Sequence, residues 1–256
     1  MSRHLTIDVE APAHLCRMED VTYSPDEVLR HVEEALAFLE RFGAKATFFI
    51  LGDVARREPR IARAIAAAGH EAASHGYLHR PVHRLSLADF GEDLRRSKGV
   101  LEDILGRPVL GYRSPAWTLG LARPGHHDEV SRAGYLYSSS ILPAMGFARA
   151  RRGADGGREF SPCVWTCGLF SVPAGTSWMF RLMPVSRLRR HLETEGRHVL
   201  VFHTHELAGG RPASSLGPGP AFIRYAGSAG FKDRMNDLFG AFTWTVLASA
   251  LDGAQS

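Results

Sequence analysis

Cysteine is scarce in this 256-residue chain, which has three: Cys16, Cys163 and Cys167. So few, and an odd number, exclude a disulfide framework and fit a reducing compartment. Cys163 and Cys167 have no second thiol pair nearby to complete a zinc site, and both read as partly buried thiols. Long hydrophobic runs are also missing. The longest, such as residues 62–69, are too short and interrupted to span a bilayer, so no integral membrane segment is expected. A strand pattern begins within a few residues of Met1, ahead of any apolar stretch suited to a signal peptide, and the expected location is cytoplasmic. Nor is there a strong excess of one charge. With 31 basic and 27 acidic residues the net charge is +4, and the arginines are scattered apart from a cluster at Arg149, Arg151 and Arg152. Without a basic stripe interleaved with aromatics, or any nucleic-acid motif, nucleic acid is not an expected partner.

What is present is a chain with 45% hydrophobic residues, enough to bury one sizeable core, and it is read as one domain over residues 1–256. LTIDVE at 5–10 has the β-branched alternation of a buried strand ending in carboxylates. Asp26 can cap a helix whose apolar positions, Val28, Leu29, Val32, Ala35, Leu36 and Leu39, recur at helical spacing until Gly43. ATFFILG at 46–52 is a continuous apolar run, as in a strand covered on both faces. The alternation continues with a helix over 54–68, a strand at 71–74, a helix over 87–105 after Ser86, a strand at 109–113, a helix near 127–133 and a strand at 135–138. HVLVFH at 198–203 is a further strong strand, and 231–251 reads as a helix, a short strand at 242–246 and a last helical turn. Repeated βα units of this kind predict an α/β fold with a parallel sheet or barrel. Residues 148–157 and 208–220, rich in Arg, Gly and Pro, read as surface loops.

The chemistry-bearing residues sit where strands end. Asp8 and Glu10, two apart, project to the same side of an extended segment. His75 and His79 in SHGYLH face the same way if the segment after the strand turns helical. His203 closes the last strong strand. A carboxylate, two imidazoles and a further acid or base at the C-terminal ends of successive strands make up the parts of a metal-assisted hydrolase. Taken singly, each has a plainer explanation as a cap, a salt-bridge partner or a chance pair. His70 reads as structural. AGSAG at 226–230 approaches the serine-hydrolase elbow but lacks its first Gly, and no histidine follows His205, which argues against that class.

TIDVE, ATFFILG, AAAGHEAASHGYLH, GYRSPAW, AGYLYSSSILP and VFHTHEL occur in the order of the motifs of the polysaccharide deacetylase family (NodB-homology, carbohydrate esterase family four), which the chain resembles over residues 5–207 and more faintly to 247. Within that family it is most similar to a branch whose first motif is Asp-Val-Glu. The resemblance implies a distorted (β/α) barrel of about seven strands and a divalent metal, usually Zn2+, held by Glu10, His75 and His79. It implies Asp8 as catalytic base, His203 as catalytic acid and Arg113 as the residue that orients the base. Two departures stand out. Val9 separates two carboxylates that most of the family has adjacent, and Ser138 stands where the similar branch usually has Asp. Trp117 and Trp178 are candidates for stacking on a sugar, Trp117 preferred because it follows the arginine motif, and His205 is a candidate for the mouth of the pocket. The implied activity is N-deacetylation of an N-acetylated sugar or sugar-containing metabolite, a small-molecule or oligosaccharide substrate. The alternatives are a small-molecule amidase or deformylase, or a catalytically weakened binding protein.

Overall fold

Period-two alternation makes the first strand two-sided: Leu5, Ile7 and Val9 face one way, His4, Thr6 and Asp8 the other. The computed structural model describes residues 2–11, 14, 22–143, 158–167, 170–194, 196–207 and 230–252. Its elements in chain order are β1 (Ser2–Val9), α1 (Pro25–Glu40), β2 (Ala46–Ile50), α2 (Gly52–Arg57), α3 (Arg60–Ala67), β3 (Glu71–Ser74), α4 (Leu87–Leu105), β4 (Gly111–Tyr112), α5 (Pro124–Arg132), β5 (Tyr137–Ser138), β6 (Arg158–Glu159), β7 (Trp165–Cys167), β8 (Phe170–Val172), α6 (Ser177–Leu182), α7 (Val185–Leu192), β9 (Arg197–His203), α8 (Thr204–Leu207), α9 (Phe231–Phe239) and α10 (Ser249–Asp252).

Seven strands form one sheet in the order β6-β5-β4-β3-β2-β1-β9, with every neighbouring pair parallel. The sheet curls into a half-barrel with helices against it, which is the distorted (β/α) barrel expected from the sequence. β7 and β8 pair separately and antiparallel. The outward residues Leu5, Ile7, Val9, Phe48, Ile50, Leu200 and Phe202 pack with Val28, Val32 and Leu39 of α1 in the main core. The inward residues Phe49, Ala73, Tyr137, Phe160, Val199 and Val201 form a second cluster with Leu247.

Several boundaries differ from the sequence reading. Ser24 caps α1, its Oγ accepting the Glu27 N–H at 3.4 Å, and Asp26 lies in the first turn, where its charge complements the helix dipole. The single helix expected over 54–68 is two, α2 and α3, because Pro59 lacks an N–H and drives Glu58 to φ −137, out of the helical region. The strands expected at 109–113 and 135–138 shorten to two residues each, and the one at 242–246 reduces to a bridge between Thr245 and His4. The predicted loops at 148–157 and 208–220 and most of AGSAG lie outside the described residues.

One row of register partners crosses six strands: Val9, Ile50, Ser74, Tyr112, Ser138 and Glu159. The residues just past this row at the C-terminal edge include Glu10, His75, Arg113 and Ser139. On the other side of β1, His203 pairs with Asp8. Residues far apart in the chain therefore meet at one end of the barrel because the strands share a register.

Candidate active site

His75 leaves β3 with its N–H donating to Ile50 O at 2.9 Å, and Arg113 leaves β4 with its N–H donating to Ser74 O at 2.8 Å. The segment between His75 and His79 is a turn and not the helix the i, i+4 spacing suggested. Gly76 has φ +79 and His79 has φ +58, which breaks any helical path. The turn is held from outside. Asp93 Oδ2 accepts the Tyr77 N–H at 2.9 Å, and Gly76 O accepts Ser97 Oγ–H and the Gly52 N–H, each at 2.9 Å. A Cβ at position 76 would lie 3.0 Å from Asp93 Oδ2, so a side chain there would press on the carboxylate that holds the turn as well as strain the backbone.

The turn converges both imidazoles on Glu10. Glu10 Oε2 lies 2.8 Å from His79 Nε2 and 3.8 Å from His75 Nε2, and Glu10 Oε1 lies 3.7 Å from His203 Nε2. Glu10, His75 and His79 are buried and form a group able to hold a metal ion. No hydrogen bond of good geometry reaches either Glu10 oxygen among the described residues, although the side chain is 0% exposed and the closest group, His79 Nε2, faces Oε2 as an ion pair. A buried carboxylate in that condition is costly unless positive charge is supplied. Burial would push the Glu10 carboxyl up, but His79 foremost, then His203 and His75, pull it well below the usual carboxylate range. His75 Nδ1 lies 3.0 Å from Arg113 O, so the N–H sits on Nδ1 and Nε2 keeps its lone pair toward Glu10. Burial pushes His75 below its ordinary value, which favours the neutral ring a cation requires.

Asp8 lies beside this group on β1. Its Oδ1 accepts Arg113 Nη1–H at 2.8 Å, and among the described residues no hydrogen bond reaches Oδ2. Arg113 is buried with Nη2 donating to Thr6 Oγ1 at 2.9 Å and Ser139 Oγ at 2.8 Å, while Nε donates to Ser139 O at 3.2 Å. Its guanidinium also sits 4.1 Å from the Phe49 ring centroid.

His203 is held from its far side. Glu206 Oε2 accepts the His203 backbone N–H at 2.9 Å and lies 3.0 Å from His203 Nδ1, and Arg181 Nη1 donates to Glu206 Oε1 at 2.5 Å. Burial would lower the His203 pKa, but Glu206 first, then Glu10 and Asp8, raise it above the ordinary value. Burial would likewise raise Glu206, yet His203, His205 and Arg181 hold it well below the carboxylate range. The structure places Glu206, half-buried, as the partner of His203. His205, expected at the mouth, is buried with its ring centroid 5.3 Å from that of His203.

Ala116 and Trp117 both have positive φ, 48° and 54°, a strained pair directly after the arginine motif. Trp117 is half-buried, its centroid 6.0 Å from the Arg113 guanidinium, and its indole N–H has no partner among the described residues. The Trp178 side chain lies outside the described residues. His70 accepts the Ala46 N–H at 3.2 Å and packs on Phe48, a structural role as read from the sequence.

Two residues near the site escaped sequence reasoning. His14 is buried 5.7 Å ring to ring from His79, and its Nδ1 accepts the Ala11 N–H at 3.0 Å. Burial pushes it down to about 4. Nothing in its spacing marked it. Glu159 of β6 stands beside Ser138 in the register row. Its Oε1 accepts the Ser140 and Ile141 N–H groups at 2.8 and 2.9 Å, and burial pushes its carboxyl up to about 7. A carboxylate therefore does face this strand end, from the neighbouring strand and not from position 138.

Comparison with known proteins follows the same lines. The family model for polysaccharide deacetylase matches residues 21–135, a span that contains His75, His79 and Arg113. A peptidoglycan deacetylase-like protein of Gibberella zeae is 30% identical over 115 residues, covering 43% of this chain and 32% of that protein. The chain spans about a third of the length of the curated relatives it matches first. A solved structure from Mycobacterium smegmatis, named as a polysaccharide deacetylase, superposes with TM-score 0.61 at 22% identity over 98% of this chain and 88% of that one. A Bacillus anthracis structure described as a pseudoenzyme of carbohydrate esterase family four superposes with TM-score 0.54 at 15% identity over 97% of this chain and 64% of its own. Both likenesses concern the fold.

Proposed function

We propose, from the match of residues 21–135 to the family model for polysaccharide deacetylase, that this chain is a metal-dependent N-deacetylase that hydrolyses the acetamide of an N-acetylated sugar or sugar-containing metabolite to an amine and acetate. The observation that carries this reading is the Glu10 carboxylate, fully buried with no well-formed hydrogen bond to either oxygen and faced by the ring nitrogens of His75 and His79. That donor set suits a divalent cation such as Zn2+, with Glu10, His75 and His79 as its ligands. Bound there, the cation would polarise the amide carbonyl and acidify a water molecule.

The remaining work falls to the chain's own side chains. Asp8 takes the proton of the attacking water on Oδ2, while Arg113 holds Oδ1 and so fixes the direction of the free lone pair. His203 gives a proton to the departing nitrogen, since an amine leaves only once it is protonated. The raised pKa of His203 keeps that proton available near neutrality, and Glu206 fixes the ring so that Nε2 faces the reaction. Trp117 offers a ring face and an unspent N–H to the sugar, and His205 packs beside His203. The cytoplasmic setting expected from the sequence suits a soluble metabolite or a lipid- or nucleotide-linked sugar, and cell fractionation tests that part of the reading.

A catalytically weakened binding protein is the second reading, because Ser138 replaces a carboxylate and a structural neighbour is described as a pseudoenzyme. Glu159, whose carboxylate meets the same strand end, speaks for the active form. The deciding experiment is metal analysis of the purified protein together with acetate release from a panel of N-acetylated sugars and metabolites. Acetate release that a chelator abolishes is the expected result. Bound metal without acetate from any sugar sinks the sugar reading and leaves the amidase and binding readings.

A further inference from the structure

Strand β9 carries a histidine at each end. His203 closes its C-terminal end, while His198 stands near its N-terminal end, in step with Leu200 and Phe202, which face the helix layer. The two are five residues apart along the strand, roughly 16 Å, so His198 belongs to a different part of the molecule from the deacetylase site. His198 Nε2 lies 3.1 Å from Thr194 O and donates its N–H there, which leaves Nδ1 as a lone-pair nitrogen. That Nδ1 is buried without a hydrogen-bond partner, in a side chain only 4% exposed. Edge-on to it stands His191 of α7, ring centroids 5.1 Å apart at 75°, and its Nε2 is likewise buried and unpartnered. The third member is the buried thiol of Cys163, which is in no disulfide. One donor atom from each of these three residues lies within 4.8 Å of the others.

What sets this cluster apart from a lone buried histidine is that a thiol and two imidazoles stand together. An imidazole nitrogen buried without a partner is costly, and here two belong to the histidines that flank one thiol. A tetrahedral cation with metal–sulfur near 2.3 Å and metal–nitrogen near 2.0 Å holds such donors about 3.3–3.5 Å apart, a contraction of at most about 1.5 Å that rotamer adjustment can supply. We propose that Cys163, His191 and His198 form a second metal site, independent of the Glu10 site, that takes a thiophilic divalent cation of the zinc type. A thiolate and two imidazoles select such an ion over magnesium, calcium or manganese. On binding, the Cys163 S–H loses its proton to solvent and the thiolate sulfur donates to the metal.

The site's place in the fold gives it a structural role. β9 is the last strand of the sheet, and its outer edge is covered by the segment around Cys163 and Gly175. The Cys163 N–H donates to Val199 O at 3.0 Å, the Val201 N–H donates to Gly175 O at 2.7 Å, and Thr176 bridges Val201. A cation between Cys163, His191 and His198 ties that cover and α7 to the strand that ends in His203.

Cobalt is the probe, because a near-ultraviolet thiolate-to-cobalt charge-transfer band requires a cysteine ligand and the Glu10 site has none. Titrated into the metal-stripped full chain, Co2+ is expected to raise this band in the wild type and in Glu10→Gln, and added Zn2+ is expected to abolish it. Cys163→Ser and His198→Gln are expected to lose the band. In the unaltered protein, Zn2+ is expected to protect Cys163, located by peptide mass mapping, from alkylation. These wild-type measurements decide the matter even where a variant fails to fold. No band in the wild type, a band that survives Cys163→Ser or His198→Gln, or equal alkylation of Cys163 with and without Zn2+ overturns the proposal. Glu10→Gln that keeps the band while losing acetate release separates this site from the deacetylase reading.

Discussion

A buried guanidinium persists only where its N–H groups find acceptors, and Arg113 shows how one side chain organises its surroundings. Thr6, Asp8 and Ser139 converge on it from two strand ends, so the proposed base is held by the same contacts that make the arginine tolerable. Glu206 does the corresponding work for His203. Glu206→Gln keeps the shape but removes the charge, and it is expected to lower kcat about 10- to 100-fold with KM little changed, read by steady-state acetate release. Glu159 supplies a pH signature. Its carboxyl rises from an ordinary 4.5 to about 7 in the fold. Between those values the folded chain holds a proton that the unfolded chain has lost. This contribution to stability is therefore full below about pH 4.5, declines as pH rises toward about 7, and is flat above. Urea unfolding across that window is expected to show the decline in the wild type and a flatter profile in Glu159→Gln, whose amide can still accept from the Ser140 and Ile141 N–H groups.

Among the elements, the turn from His75 to His79 depends on its neighbours more than on its own sequence. α4 supplies Asp93 and Ser97, and the start of α2 supplies the Gly52 N–H. Gly52 is the tightest of these supports: a Cβ there would lie 2.6 Å from Tyr77 Cδ2 and 3.1 Å from Ser97. Gly52→Ala is therefore expected to destabilise the fold by about 1–3 kcal/mol, measured by urea unfolding. It should also weaken metal retention in dialysis, because the displaced Tyr77 lies between the two histidines. The i, i+4 spacing of those histidines suggested a helix, and a helix would have put them on one face. Gly76 was legible as a possible break, but the positive φ at His79 was not, since a β-carbon-bearing residue takes that conformation only when surrounding contacts impose it.

For the whole molecule, the register row matters most. Six strands end level, so residues 8, 10, 75, 79, 113 and 139 meet although the sequence scatters them over more than half the chain. A cation held by three of them would link β1 to β3, and its removal should be felt globally. Exhaustive chelation is expected to abolish acetate release and to lower the unfolding midpoint, with both restored by added Zn2+. Free metal at about 100 times its Kd corresponds to roughly 2.7 kcal/mol of stabilisation. A midpoint that does not respond to chelator or metal, measured by calorimetry, would count against a cation in either group of ligands.

The sequence by itself determined the strand and helix alternation, the ordered motifs and the identities of Asp8, Glu10, His75, His79, Arg113 and His203 as candidates, because local periodicity and residue chemistry are written in the order of the chain. Even the break at Pro59 was readable from the properties of proline. Which neighbours complete the site was decided only in three dimensions. Glu159 comes to stand beside Ser138 through strand pairing, Glu206 turns toward His203 through the start of α8, and His14 comes to rest against His79. Cys163 reads in the sequence as a thiol without a partner, and the tertiary structure brings His191 and His198 to it. Contacts of this kind depend on register and on the packing of distant elements, which spacing along the chain does not encode.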